Sequence, residues 1–179
     1  MRYRTSIVEG HPERAWLKGA FAGLIATGPM TIFMLITHRF LPKGQRYALA
    51  PEMITKEIAR RVHVKPQMSH LQIVGATLVS HFGYGAGMGA LYGLMEKKLP
   101  LSVLMKGVLF SLVVWAGSYL GLLPLLGISA SAQREPLRRN LLMMAAHIVW
   151  GAVMSMIVAV FLHQSKPTQW VSRWFEQHA

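Results

Sequence analysis

Residues Leu101–Ile128 read LSVLMKGVLFSLVVWAGSYLGLLPLLGI, a long apolar run in which Lys106 is the one charge. About 20 helical residues cross a hydrocarbon core of roughly 30 Å. Only helices satisfy their backbone groups within a single crossing, so this run reads as a membrane helix. Three more stretches read the same way: Gly19–Thr37, Leu71–Met95 and Leu141–Leu162. The expected fold is an all-α integral membrane protein with four transmembrane helices. It occupies residues 1–179 as a single membrane domain.

Composition agrees with that reading. Of 179 residues, 53% are hydrophobic and 15% charged, against about 25% charged in an ordinary globular domain. Mean hydropathy is +0.34. The formal net charge is +12, from 19 Lys and Arg against 7 acids, all of them glutamate. Such an excess points to nucleic acid or an anionic membrane surface, and the apolar runs select the membrane. With no cysteine there is no disulfide, thiolate metal site or cysteine nucleophile.

Ala48-Leu49-Ala50 has the form of a signal-peptidase site. The first apolar run ends about a dozen residues before it, and Arg39, Lys43 and Arg46 lie between. That excludes a cleaved leader.

Two connecting segments read as interfacial amphipathic helices. Residues 51–62 place Met53, Ile54, Ile58 and Val62 at helical spacing, with Lys56, Arg60 and Arg61 among them. This pattern suits a helix lying on anionic headgroups. Residues 169–176 place Trp170 and Trp174 on one face, and Trp favours the membrane–water boundary. Four crossings return both termini to one side. Charge does not orient the chain, because the two sides would carry 9 and 10 Lys and Arg, with both tails and Lys106 counted in the 9.

A motif recurs within the chain. His81, Tyr84, Gly85, Ala86, Met88 and Gly89 have the spacing of His147, Trp150, Gly151, Ala152, Met154 and Ser155. Lys18-Gly19 and Lys106-Gly107 precede the two copies. The four spans therefore read as two repeated hairpins. Gly85, Gly89 and Gly93 line one helix face, as do Gly151 and Ser155. Small residues four apart let backbones approach closely, which drives helix association in lipid. This face packs the bundle itself or docks a second subunit.

No glutamate falls within the spans and there is no aspartate. Intramembrane carboxylates for proton coupling, a Ser-His-Asp triad and a carboxylate-bridged metal pair are therefore all missing. No catalytic residue and no metal site are expected. His81 and His147 remain as ionisable groups inside the spans, and such residues are functional candidates by default. Imidazole is an axial ligand for haem iron and equally suits chlorophyll magnesium. The adjacent Gly85 and Gly151 leave room for a flat ring. A depth difference of about 6 Å, at 1.5 Å per residue, argues against one shared ring. Interhelical hydrogen bonding is the competing use, and on balance no cofactor is expected.

Gly23-Leu24-Ile25-Ala26, Leu123-Pro124-Leu125-Leu126-Gly127 and Ala146-His147-Ile148-Val149-Trp150 resemble the YagU-like family of small bacterial inner-membrane proteins. The likeness covers about Gly19–Leu35 and His81–Met156. The strongly basic first connection departs from the family pattern. The resemblance implies a bacterial inner membrane with the N-terminus in the cytoplasm, and supplies no catalytic residues. The leading expectation is a non-catalytic packing or accessory subunit of a larger membrane complex, touching lipid and other subunits or itself, and not nucleic acid. A tetrapyrrole-binding protein using His81 and His147 is the alternative, and a small channel or carrier the third.

Overall fold

A computed structural model describes residues 14–125, Gly127 and 135–163. The described residues form five helices: α1 (Ala15–His38), α2 (Ala50–Arg61), α3 (His70–Met95), α4 (Val103–Leu125) and α5 (Leu137–His163). Short 3-10 turns at Lys43–Gln45, Lys65–Gln67 and Glu96–Lys98 join them. The chain is an all-helical, multi-pass membrane protein.

Local sequence explains where the helices start. Pro51 opens α2, where its missing N–H costs nothing. Ser69 and Gln72 form a reciprocal capping box at α3. The Gln72 amide donates to Ser69 Oγ at 3.3 Å, and the Ser69 amide donates to Gln72 Oε1 at 2.7 Å. Within α4, Gly117–Leu122 is π-helical, a local widening of the kind found at functional sites.

Around the bundle the order is α3, α1, α5, α4. Helix α1 is central and packs extensively on both α3 and α5, while α4 packs on α5. The core joins Ala22 and Ala26 of α1 to Tyr92 of α3 and to Ala146, Trp150 and Met154 of α5. Helices α3 and α4 barely meet, and α2 lies against α3 beside the resulting seam.

The expected four transmembrane helices in two repeated hairpins are overturned. Among the described residues three helices are long and apolar enough to cross a membrane: Ala15–His38, Val103–Leu125 and Leu137–Phe161. Helix α3 has the length but not the apolarity. Its 26 residues include six glycines, two histidines, Gln72, Thr77 and Ser80, and a glycine contributes almost no apolar surface. The halves also differ in build, since α1 is an uninterrupted α-helix and α4 is broken by the π turn. The same-side expectation for the termini loses its basis with the fourth crossing. The expected interfacial helix at 169–176, with Trp170 and Trp174, lies outside the described residues.

Candidate functional site

Three glycine contacts bring α1 and α3 together as antiparallel neighbours. A Cβ at Gly19 would overlap the Gly89 carbonyl, one at Gly23 the Gly85 carbonyl, and one at Gly93 the Ala15 carbonyl. Gly107 of α4 meets Gly151 and Ser155 of α5 in the same close manner. The residues singled out in sequence for packing, Gly85, Gly89, Gly93, Gly151 and Ser155, thus lie at contacts within this chain.

Helix α3 carries a second glycine face that sequence reasoning missed. Gly75, Gly83 and Gly87 have nothing within 4 Å of where a Cβ would stand. With Val79 between them, 74% exposed, they form an outward ridge at four-residue spacing. The signal lay in the run Gly83-Tyr84-Gly85-Ala86-Gly87-Met88-Gly89, which offers two registers at once.

A cavity of about 330 Å³ opens where α3 and α4 diverge. Helix α1 supplies Met30 and Met34, α2 supplies Ile54 and Ile58, and α3 supplies His81 and Met88. The π segment of α4 contributes Ser118 and Tyr119, and α5 contributes His147 and Trp150. His81 of α3 and His147 of α5 therefore line one space despite their difference in depth along the chain. Among the described residues no Lys, Arg, Asp or Glu lines it. His147 Nδ1 lies 2.8 Å from the Met143 carbonyl, and its ring meets Tyr119 edge to face at 6.1 Å. His81 Nε2 is buried without a hydrogen-bond partner. Across the seam, the Tyr84 and Ser118 hydroxyls are 3.0 Å apart.

The apolar edge of α2 faces this cavity. Thr55 Oγ1 lies 3.2 Å from Ser80 Oγ of α3, which fixes α2 beside the seam. The basic residues expected at the membrane surface have partners within α2 itself. Lys56 pairs with Glu52, and Arg60 and Arg61 both pair with Glu57. Hydrogen bonds from Arg60 and then Arg61 hold the Glu57 carboxyl down to about 2.

Arg139, buried at the start of α5, ties down the segment leading into α2. It donates to the carbonyls of Gln45, Tyr47 and Ala48 at 3.0 to 3.1 Å. It also pairs with Glu135 at 3.3 Å and stacks 3.6 Å over the Tyr47 ring. The Tyr47 hydroxyl donates to Glu135. Partial burial, and then this bond, push the phenol above its ordinary value.

Among the described residues no group of three His, Cys, Asp or Glu is placed to hold a metal ion. On the cavity wall the two histidines are the only nitrogen ligands among the described residues. His147 meets one requirement of an axial ligand, because a backbone carbonyl holds its Nδ1 and leaves Nε2 to bind.

A family model described as a protein of unknown function, DUF1440, matches residues 51–156. The match runs from the start of α2 into α5 and includes both histidines. No curated protein and no solved structure matches the chain.

Proposed function

From the premise that the chain belongs to this DUF1440 family of unknown function, we propose a role from its geometry: a non-catalytic membrane protein serving as an accessory subunit. Its docking surface is the outer face of α3, and the occupant is a helix of another subunit. The observation that carries this reading is the open ridge of Gly75, Gly83 and Gly87. Bare backbone at this spacing accepts a second helix at close range. The inner glycine face is already occupied by α1. A further helix against α3 also shields a segment whose apolarity falls short of the three spans.

The acidic residues support a non-catalytic role. Each glutamate among the described residues is committed to an ion pair: Glu52, Glu57, Glu96 and Glu135. The resemblance to YagU-like proteins favours a bacterial inner membrane and a cytoplasmic N-terminus. Reporter fusions at residues 2 and 179 distinguish an even from an odd number of crossings and place both termini. The pairs within α2 leave it one excess positive charge, which favours modest contact with anionic headgroups.

The test is native electrophoresis of gently solubilised protein. Gly83→Leu with Gly87→Leu is expected to abolish the larger assembly while the chain keeps its thermal stability. An unchanged assembly rejects the docking face. A change in mass equal to one chain identifies a second copy, and any other change a different subunit.

A further inference from the structure

The cavity has a chemistry that selects its ligand. Its volume, about 330 Å³, lies within the ~300–1,000 Å³ range of small-molecule sites. Its walls are chiefly methionine, isoleucine, leucine and aromatic side chains. Without a charged wall residue, a carboxylate, phosphate or ammonium group would enter with no counter-charge, at a high desolvation cost. The ligand is therefore uncharged and mostly apolar.

The polar groups narrow it further. A carbonyl oxygen only accepts, so His147 Nδ1 donates to Met143 at 2.8 Å. In the neutral imidazole, Nε2 is then an acceptor and needs an O–H or N–H from a partner. His81 Nε2 is buried with no partner at all, and buried polar atoms are ordinarily satisfied. A hydroxyl can donate to His147 Nε2, whereas His81 Nε2 is shut off from the cavity by its burial. A ketone or an ether can only accept and leaves His147 Nε2 unmatched.

The way in is lateral. Tyr84, Ile58 and Leu122 line the cavity yet are 43%, 50% and 46% exposed. The Tyr84–Ser118 hydrogen bond is a polar link across the seam between α3 and α4. An opening at this seam lies beside the apolar span α4, which suits a ligand that arrives dissolved in the bilayer. A trapped water satisfies one imidazole but leaves the apolar remainder of the space empty.

We propose that this cavity binds a membrane-soluble alcohol or phenol, with its hydroxyl donating to His147 and its apolar body between α1, α2 and α3. The experiment uses the full chain in lipid nanodiscs with a diazirine-bearing long-chain alcohol as photoprobe. Labelling is expected on peptides carrying Met30, Met34 and Met88. Dodecanol should compete, while dodecyl methyl ether and dodecanoate should compete about tenfold less well, the scale of one lost hydrogen bond in a dry site. His147→Leu should weaken labelling by a similar factor. Met88→Trp, which fills the cavity from an apolar wall, should abolish labelling even if His147→Leu proves poorly folded. Equal competition by alcohol and ether overturns the proposal, as does labelling confined to other peptides. A Soret band in the purified protein also overturns it, because a tetrapyrrole would then hold the histidines.

Discussion

The Trp150 indole donates a hydrogen bond to the Gly23 carbonyl at 3.1 Å, joining α5 to α1 beside the point where Gly23 meets Gly85. Thr27 Oγ1 donates to the same carbonyl at 2.8 Å. Trp150→Phe keeps an aromatic ring in the core but removes one of the two side-chain donors. The expected loss is about 0.5–1 kcal/mol. Trp150→Phe combined with Thr27→Val strips both side-chain donors and leaves only the helical amide bond, so its cost should depart from the sum of the single changes. Reversible unfolding in mixed micelles measures both, and strict additivity contradicts the shared-acceptor arrangement.

The two glycine faces of α3 should respond oppositely to bulk. At Gly89 a Cβ would overlap the Gly19 carbonyl and stand 2.8 Å from Gly23 Cα. Both are backbone atoms that cannot swing away. Gly89→Leu should therefore destabilise by about 3 kcal/mol or more. Gly87 has open space, and exchanging a mid-helix glycine for a better helix former gains about 0.5–1 kcal/mol. Gly87→Leu should thus leave the melting temperature of the isolated chain equal or slightly higher. Equal losses at the two positions would reject the assignment of the faces.

Arg139 holds residues 45–48 through three carbonyls and pairs with Glu135. Removing it leaves a mostly buried carboxylate and bare carbonyls, a change that typically costs about 3–5 kcal/mol. Arg139→Met should show that loss, and new protease cleavage should appear just before α2. Arg139→Lys should rescue little, because one ammonium cannot reproduce the guanidinium fork or its stacking on Tyr47. Full rescue by lysine would show that charge alone is needed.

Lys106 and Glu96 form an ion pair at 2.9 Å, with side chains only 11% and 13% exposed. Glu96→Gln should destabilise more than the paired change Glu96→Gln with Lys106→Met. The first leaves a charge stranded in a largely apolar site, and the second leaves none. A double-mutant cycle at neutral pH checks this ordering, and the reverse order rejects it.

The contribution of Glu57 to α2 depends on pH with a definite sign. Its carboxyl is lowered from 4.5 to about 2 by Arg60 and Arg61, so folding favours the ionised form. The stabilisation is fully present above about 4.5 and fades as pH falls toward 2. The protection of α2 amides relative to their intrinsic exchange rates should fall over that window and stay level between pH 5 and 8. Glu57→Gln should flatten the profile.

The helical class and the membrane setting were written in the sequence, because apolar run length is a local property that needs no partner to interpret. The α2 helix was legible for the same reason, through Pro51 and the spacing of Ile54 and Ile58. Apolar spacing alone could not say what the exposed edge of α2 faces, and the fold sets it against the cavity. Length and apolar appearance led to a fourth span at Leu71–Met95, where glycines dilute the apolar surface while leaving the helix intact. The Gly85, Gly89 and Gly93 face was legible from its spacing, but neither its partner α1 nor the second face of Gly75, Gly83 and Gly87 was, since both registers satisfy the same spacing rule. The choice between them is made by Gly19 and Gly23, more than 60 residues away along the chain. The meeting of His81 and His147 on one cavity is likewise a tertiary result. It arises because α1 and α5 bind closely while α3 and α4 diverge, and the balance of those helix contacts has no counterpart in any single stretch of residues.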